Sequence, residues 1–174
     1  DMLARIDLES YTPLPWMPNT ARFAADLFVD DESYPYCPRT NLKRVLAEAR
    51  DAGYLFNVGM EPEHFLVTRN EDGSIRIADE FDTLEKPCYD FKGISPAIDY
   101  LKDLMDGMDK LGWDPYQSDH EDANGQFEQN FQYSDALTTA DRLILLRLMM
   151  HTLARQQGLY ATFMPKPFAD KTGN

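Results

Sequence analysis

Cysteine is scarce: only Cys37 and Cys88 occur in 174 residues, and neither belongs to a Cys-x-x-Cys pair or a Cys/His cluster. That argues against a disulfide framework or a thiolate zinc site and favours a reducing compartment, so the expected location is cytoplasmic. Basic residues are also few. Lys and Arg number 17 against 30 Asp and Glu, for a formal net charge of −13. Such a surface repels a phosphate backbone or an anionic leaflet, so neither nucleic acid nor membrane is expected as a partner. Long apolar runs are lacking, because the longest, at residues 143–150, is broken by Arg147. No membrane span and no signal-peptide core is expected from it. Only 9 glycines accompany 43% hydrophobic and 12% aromatic residues, which excludes a collagenous, low-complexity or disordered chain. At this length one domain, or part of one, can bury about 70% of its unfolded surface.

What is present reads as an α+β layer, antiparallel sheet on one side and helices on the other. Residues 1–22, with Pro13, Pro15 and Pro18 around Trp16, read as a lead-in segment, followed by a strand at residues 22–29 and a polar loop at residues 30–33. Thr40 or Asn41 is the expected cap of a helix that runs to about Ala52 and stops at Gly53. Residues 54–69 have strand composition and meet a turn at Asn70-Glu71-Asp72-Gly73 before a short strand. Ser95 and Pro96 are expected to open a helix whose apolar stripe is Ile98, Leu101, Met105, Met108 and Leu111. Thr138 or Thr139 is the expected cap of a third helix, apolar nearly all round and so expected to be buried on most sides until Gly158. A strand at residues 160–164 follows, closed by Pro165 and Pro167. The chain opens on Asp1 and stops at Thr172-Gly173-Asn174, which leads to the expectation of a fragment with parts missing on both sides.

Four carboxylates look misplaced for solvated side chains. Glu61 and Glu63 are two apart in an apolar strand candidate, which puts both on one face about 7 Å apart. Asn124-Gly125 is a strong two-residue hairpin signal, and such a turn would set Glu121 directly opposite Glu128. Opposed like charges destabilise a sheet, whereas a hard divalent cation such as Mg²⁺ or Mn²⁺ requires several carboxylate oxygens at short range. An exposed acidic strand face is the alternative reading. A calcium loop is not, since placing Gly125 sixth puts His120 first and Phe131 twelfth, where acids are required. His120 reads as a ligand, a base or a hydrogen-bonded structural group, while His64 and His151, the latter on a buried helix face, read as structural.

Gly59-Met60-Glu61-Pro62-Glu63-His64-Phe65, then His120-Glu121-x-Ala123-x-Gly125-Gln126-Phe127-Glu128, then Phe163-Met164-Pro165-Lys166-Pro167 with Gly173, resemble in that order the glutamine synthetase family. The resemblance implies a curved antiparallel sheet backed by helices, with residues 1–22 as the tail of an N-terminal domain and 23–174 as the first part of a catalytic domain. It implies that Glu63, Glu121 and Glu128 hold one metal, that Glu61 serves a second, and that a histidine and a further glutamate of that second site lie beyond the chain. Two Mg²⁺ or Mn²⁺ ions would then hold ATP against glutamate in a homo-oligomeric ring, and ammonia would displace phosphate from γ-glutamyl phosphate. Thr172 and Gly173 align with the family's glutamate-binding loop, where Thr172 replaces the usual asparagine, and Tyr116 stands where bacterial members often carry an acidic nucleotide contact. Those departures leave methylamine or a polyamine open as the amine. A homologue that only binds metal, without catalysis, is the third reading.

Overall fold

The computed structural model describes residues 1–173. Its elements run β1 (Met2–Ile6), β2 (Thr12–Pro13), β3 (Ala21–Arg22), β4 (Ala25–Val29), β5 (Glu32–Ser33), α1 (Pro38–Asp51), β6 (Asn57–Val58), β7 (Glu63–Arg69) and β8 (Ile75–Ile77). They continue as α2 (Phe91–Ile94), α3 (Ile98–Lys110), β9 (Pro115–His120), β10 (Gln126–Phe131), β11 (Ser134–Asp135), α4 (Ala136–Gln156) and β12 (Tyr160–Thr162). The chain forms two compact units, Asp1–Gly59 with Tyr133–Leu143, and Met60–Gln132 with the residues from Ile144 onward.

In the first unit β4 lies antiparallel to β1 along its whole length and turns into β5 through Asp30 and Asp31, both at positive φ. Aspartate tolerates that region because its short side chain bonds locally. The expected strand at 22–29 is therefore split, and the expected loop at 30–33 is a hairpin. α1 starts earlier than expected: Cys37 is its N-cap and Pro38 takes the first helical position, where a missing N–H costs nothing. On its first turn Arg39 donates to Asp7 at 2.8 Å, Asp26 at 3.1 Å and Asp141 at 3.0 Å, with Lys43 beside Asp26. Three carboxylates that would repel one another are thereby tied to one guanidinium, whose planar fork suits several acceptors at once.

The second unit is built on an antiparallel sheet in the order β12-β7-β10-β9, with β8 also paired to β7. Alternation along the strands gives it two faces. His64, Phe127 and His120 share one face, where the His64 ring meets the Tyr100 hydroxyl of α3 at 2.9 Å. Burial holds His64 neutral, its pKa pushed down to about 3. Glu63, Glu128 and Asp119 share the other face. α2 opens on Asp90, whose carboxylate accepts the Gly93 amide, and a single 3-10 turn at Ser95–Ala97 carries it into α3. The helix thus begins before the expected Ser95 cap, and its buried stripe is Tyr100, Leu101, Leu104 and Met108, with Ile98 exposed.

α4 opens on Asp135, whose carboxylate accepts the Thr138 amide at 3.0 Å, in place of the expected threonine caps. Within the second unit it buries Leu145, Leu146, Met149, Met150, Leu153 and Ala154. Its expected burial on most sides is not met, because Ile144 and Leu148, one turn apart, are 61% and 45% exposed. His151 is exposed as well, not on a buried face. Among the described residues no helix is long and apolar enough to cross a membrane.

A carboxylate cluster as the candidate metal centre

β10 is central to the site because it is flanked by β7 and β9. Its register puts Glu128 directly opposite Glu63 on one side and Asp119 on the other, a row of three acids across three strands. The opposed glutamate pair expected from the hairpin is therefore Glu63 with Glu128, and the Glu121 with Glu128 pairing is corrected. Residues 121–125 form a longer connection, in which the Glu121 amide donates to the Gln126 carbonyl at 2.9 Å and the Gln126 amide to Ala123 at 3.0 Å. Gly125 alone of the turn pair has positive φ, so a turn requiring it at Asn124 as well does not form.

Glu121 nevertheless reaches the same place. Glu63, Glu121 and Glu128 each offer a ligand atom, and these atoms lie within 4.8 Å of one another. A hard cation with oxygen ligands at roughly 2.0–2.5 Å spans such a gap. Glu61 is not in this group. Pro62 intervenes, β7 starts at Glu63, and the exposed Glu61 lies just before the strand. Its charge still reaches both Glu63 and Glu128.

The electrostatics are those of acids crowded without compensation. Burial first, then Glu128 and Glu63, pushes Glu121 up to about 7. Burial and the Glu128 charge raise Glu63, and burial with Glu61 and Asp119 raises Glu128. Two amides counter this in part: the Gln126 side chain donates to Glu63, and Asn130 donates to Glu128 at 2.7 Å. An oxygen-only donor set with raised pKa values and fixed orientation fits Mg²⁺ or Mn²⁺, because a cation turns the mutual repulsion into shared attraction.

His120 is a structural group. It is fully buried, with Nδ1 on the Glu121 carbonyl and Nε2 on Asp82. Tyr116 is the residue passed over at a bulge in β9 and is exposed. Thr172 and Gly173 are exposed in the segment after β12, next to Lys171, whose Nζ donates to Asn124 at 2.7 Å. Asn174, of the expected glutamate-binding loop, lies outside the described residues. Gln126, Asn130 and Asp119 were not singled out from sequence. Asp119 had a signal, since it is two residues from Glu121, whereas the amides had none.

The model of the glutamine synthetase catalytic domain matches residues 35–174. A glutamine synthetase of Rhizobium leguminosarum bv. phaseoli is 48% identical over all of this chain and 39% of its own length. A glutamate–methylamine ligase of Methyloversatilis universalis is 41% identical, again over the whole chain and 39% of that protein. A solved structure described as apo GmaS without ligand superposes with a TM-score of 0.95 at 47% identity, covering the whole chain and 41% of its own. The chain thus spans about two fifths of the length of the relatives it matches. With the curled antiparallel sheet and the ordered motifs, the match over residues 35–174 shows that this chain belongs to the glutamine synthetase family.

Proposed function

We propose that the chain supplies one metal half-site of a ligase that joins glutamate to an amine with consumption of ATP. The observation that carries this reading is the convergence of Glu63, Glu121 and Glu128 within 4.8 Å, in a chain matched over residues 35–174 by the family model. Those three carboxylates hold Mg²⁺ or Mn²⁺, with Glu61 directed to a second ion whose other ligands lie outside this sequence. A bound divalent ion supplies charge neutralisation, which lets one anionic oxygen approach another in phosphoryl transfer. The chain's own contribution is to fix the carboxylates. Gln126 orients Glu63, Asn130 orients Glu128, and the strand register sets the two face to face. Preorganised charge of this kind costs no rearrangement when the reaction begins.

In the whole protein, a cytoplasmic homo-oligomeric ring, the γ-carboxylate of glutamate takes the γ-phosphoryl group of ATP, releasing ADP. The amine nitrogen then attacks the acyl phosphate, and phosphate leaves. Ammonia is the first reading for the amine. Methylamine is the second, supported by the likeness to a glutamate–methylamine ligase at 41% identity. Thr172 and Gly173 are assigned to the glutamate side and Tyr116 to the nucleotide side.

The test is phosphate release by the full-length protein with ATP, glutamate, Mg²⁺ or Mn²⁺, and ammonium, methylamine or putrescine in parallel. Amide formation with one of them, lost in Glu63→Gln, is the expected result. Mn²⁺ binding without nucleotide binding or turnover would instead identify a non-catalytic homologue.

A further inference from the structure

We propose that Asp82 is a positioning residue for Glu121, holding the 121–125 connection in the conformation that brings the Glu121 carboxylate to Glu63 and Glu128. This rests on the reading of those three glutamates as a cation site. Glu63 and Glu128 stand on strands and are set by a continuous ladder, whereas the β9 ladder ends at His120 paired with Phe127. Glu121 is the member just beyond it, so something other than sheet register has to place it.

Asp82 meets that need from 38 residues upstream of His120. Its side chain is 2% exposed and accepts three hydrogen bonds: His120 Nε2 at 2.7 Å, the Gly125 amide at 2.6 Å and Asn124 Nδ2 at 3.1 Å. Those partners bracket Glu121 on both sides. A carboxylate has about four acceptor positions, so three donors leave it little rotational freedom. The His120 ring relays the constraint, because its Nδ1 lies 2.9 Å from the Glu121 carbonyl oxygen. Each ring nitrogen lies within hydrogen-bond distance of an oxygen, which makes the ring a spacer of fixed length between Asp82 and the Glu121 backbone.

The spacer is itself wedged. A Cβ on Gly93 of α2 would stand 2.3 Å from His120 Cδ2, so the ring packs directly on the helix backbone. With its amide on Gln126 and its carbonyl on His120, the Glu121 backbone is held from both sides. Asn124 extends the same node to Lys171 through its Oδ1.

The test is a double-mutant cycle on the full chain, read as the Kd for Mn²⁺ by calorimetry and by the free-ion EPR signal, with thermal melting in EDTA beside it. Asp82→Asn is expected to weaken Mn²⁺ binding about 10- to 100-fold, the range for outer partners of metal ligands. Added to Glu121→Gln, it is expected to weaken binding no further, since its effect runs through Glu121. An unchanged Kd in Asp82→Asn overturns the proposal, and so does an equal further loss in the Glu121→Gln background, which would mark general structural support. Should Asp82→Asn not fold, Asn124→Ala removes one of the three donors and is expected to give a smaller loss with the same dependence on Glu121. A wild-type chain that binds no Mn²⁺, or binding that Glu121→Gln leaves untouched, instead overturns the cation-site reading itself and the proposal with it.

Discussion

Without a cation the clustered glutamates work against the fold, and Glu121 does so most. Its pKa rises from 4.5 to about 7 through burial, then Glu128 and Glu63. A raised carboxyl pKa means that its contribution to stability is full below the unfolded value and is lost as pH climbs through the folded one. Glu121→Gln is therefore expected to melt above the wild type in EDTA, with a difference near zero below pH 4.5 that grows up to about pH 7 and then levels. Melting curves across that range check it, and a constant difference would show that charge is not the cause. Glu128→Gln is expected to behave likewise in EDTA while weakening Mn²⁺ binding, because Asn130 can still bond to the amide oxygen. A large loss of stability in metal-free buffer would instead make Glu128 a structural partner. The four glutamates themselves were legible from sequence, since acids at fixed spacing in apolar strands are conspicuous. Their mutual distances were not, because β7 starts only at Glu63 and a longer connection moves Glu121 out of register.

Among the elements, the junction of α2 with the end of β9 is the place where local preference and packing disagree. Alanine is preferred over glycine in a helix interior by about 1 kcal/mol. Gly93→Ala is nevertheless expected to lower the melting temperature, because its Cβ would meet the His120 ring at 2.3 Å. Displacing that ring loosens Glu121, so a fall in Mn²⁺ affinity is expected with it. Thermal melting and Mn²⁺ calorimetry on the one variant test both parts, and a rise in stability would show the ring free to move. The same junction explains why the two-residue hairpin turn does not form. Asn124-Gly125 carries the signature of a two-residue turn, but the Asn124 side chain and the Gly125 amide are both engaged by Asp82, more than 40 residues away. Local propensity is a weak prior that such contacts override.

For the molecule as a whole, cation binding and folding are linked. A ligand bound only by the folded state at 100 times its Kd adds about 2.7 kcal/mol. In a chain of this size each kcal/mol moves the melting temperature by about 2–4 °C, so saturating Mn²⁺ is expected to raise it by roughly 5–11 °C, reversibly with EDTA. No shift would mean no cation site. The first unit depends instead on Arg39. Replacing it with alanine removes the partner that Asp7, Asp26 and Asp141 share and leaves Lys43 to serve the first two, a change expected to lower the melting temperature. The hydrogen bond from Arg39 holds the Asp7 carboxyl below its usual range. Its contribution is thus present above the ordinary aspartate pKa and lost as pH falls through the lowered one. Hydrogen exchange is the direct check: protection of β1 and β4 should drop in Arg39→Ala and on acidification, while β7 and β10 keep theirs in the variant.

The sequence by itself determined the three long helices and the strand that carries Glu63, the acidic character, the α+β class and the identity of the clustered glutamates. Composition, periodicity and short motifs are local properties, and each of those features is written locally. Only the tertiary structure decided which glutamates face one another, that Glu61 stands outside the strand pair, that His120 is a buried spacer and that Asp82 governs the turn. These depend on strand register and on hydrogen bonds that span tens of residues. Such partners are chosen by which buried donors and acceptors can be satisfied together, a condition that exists only once the chain has closed on itself.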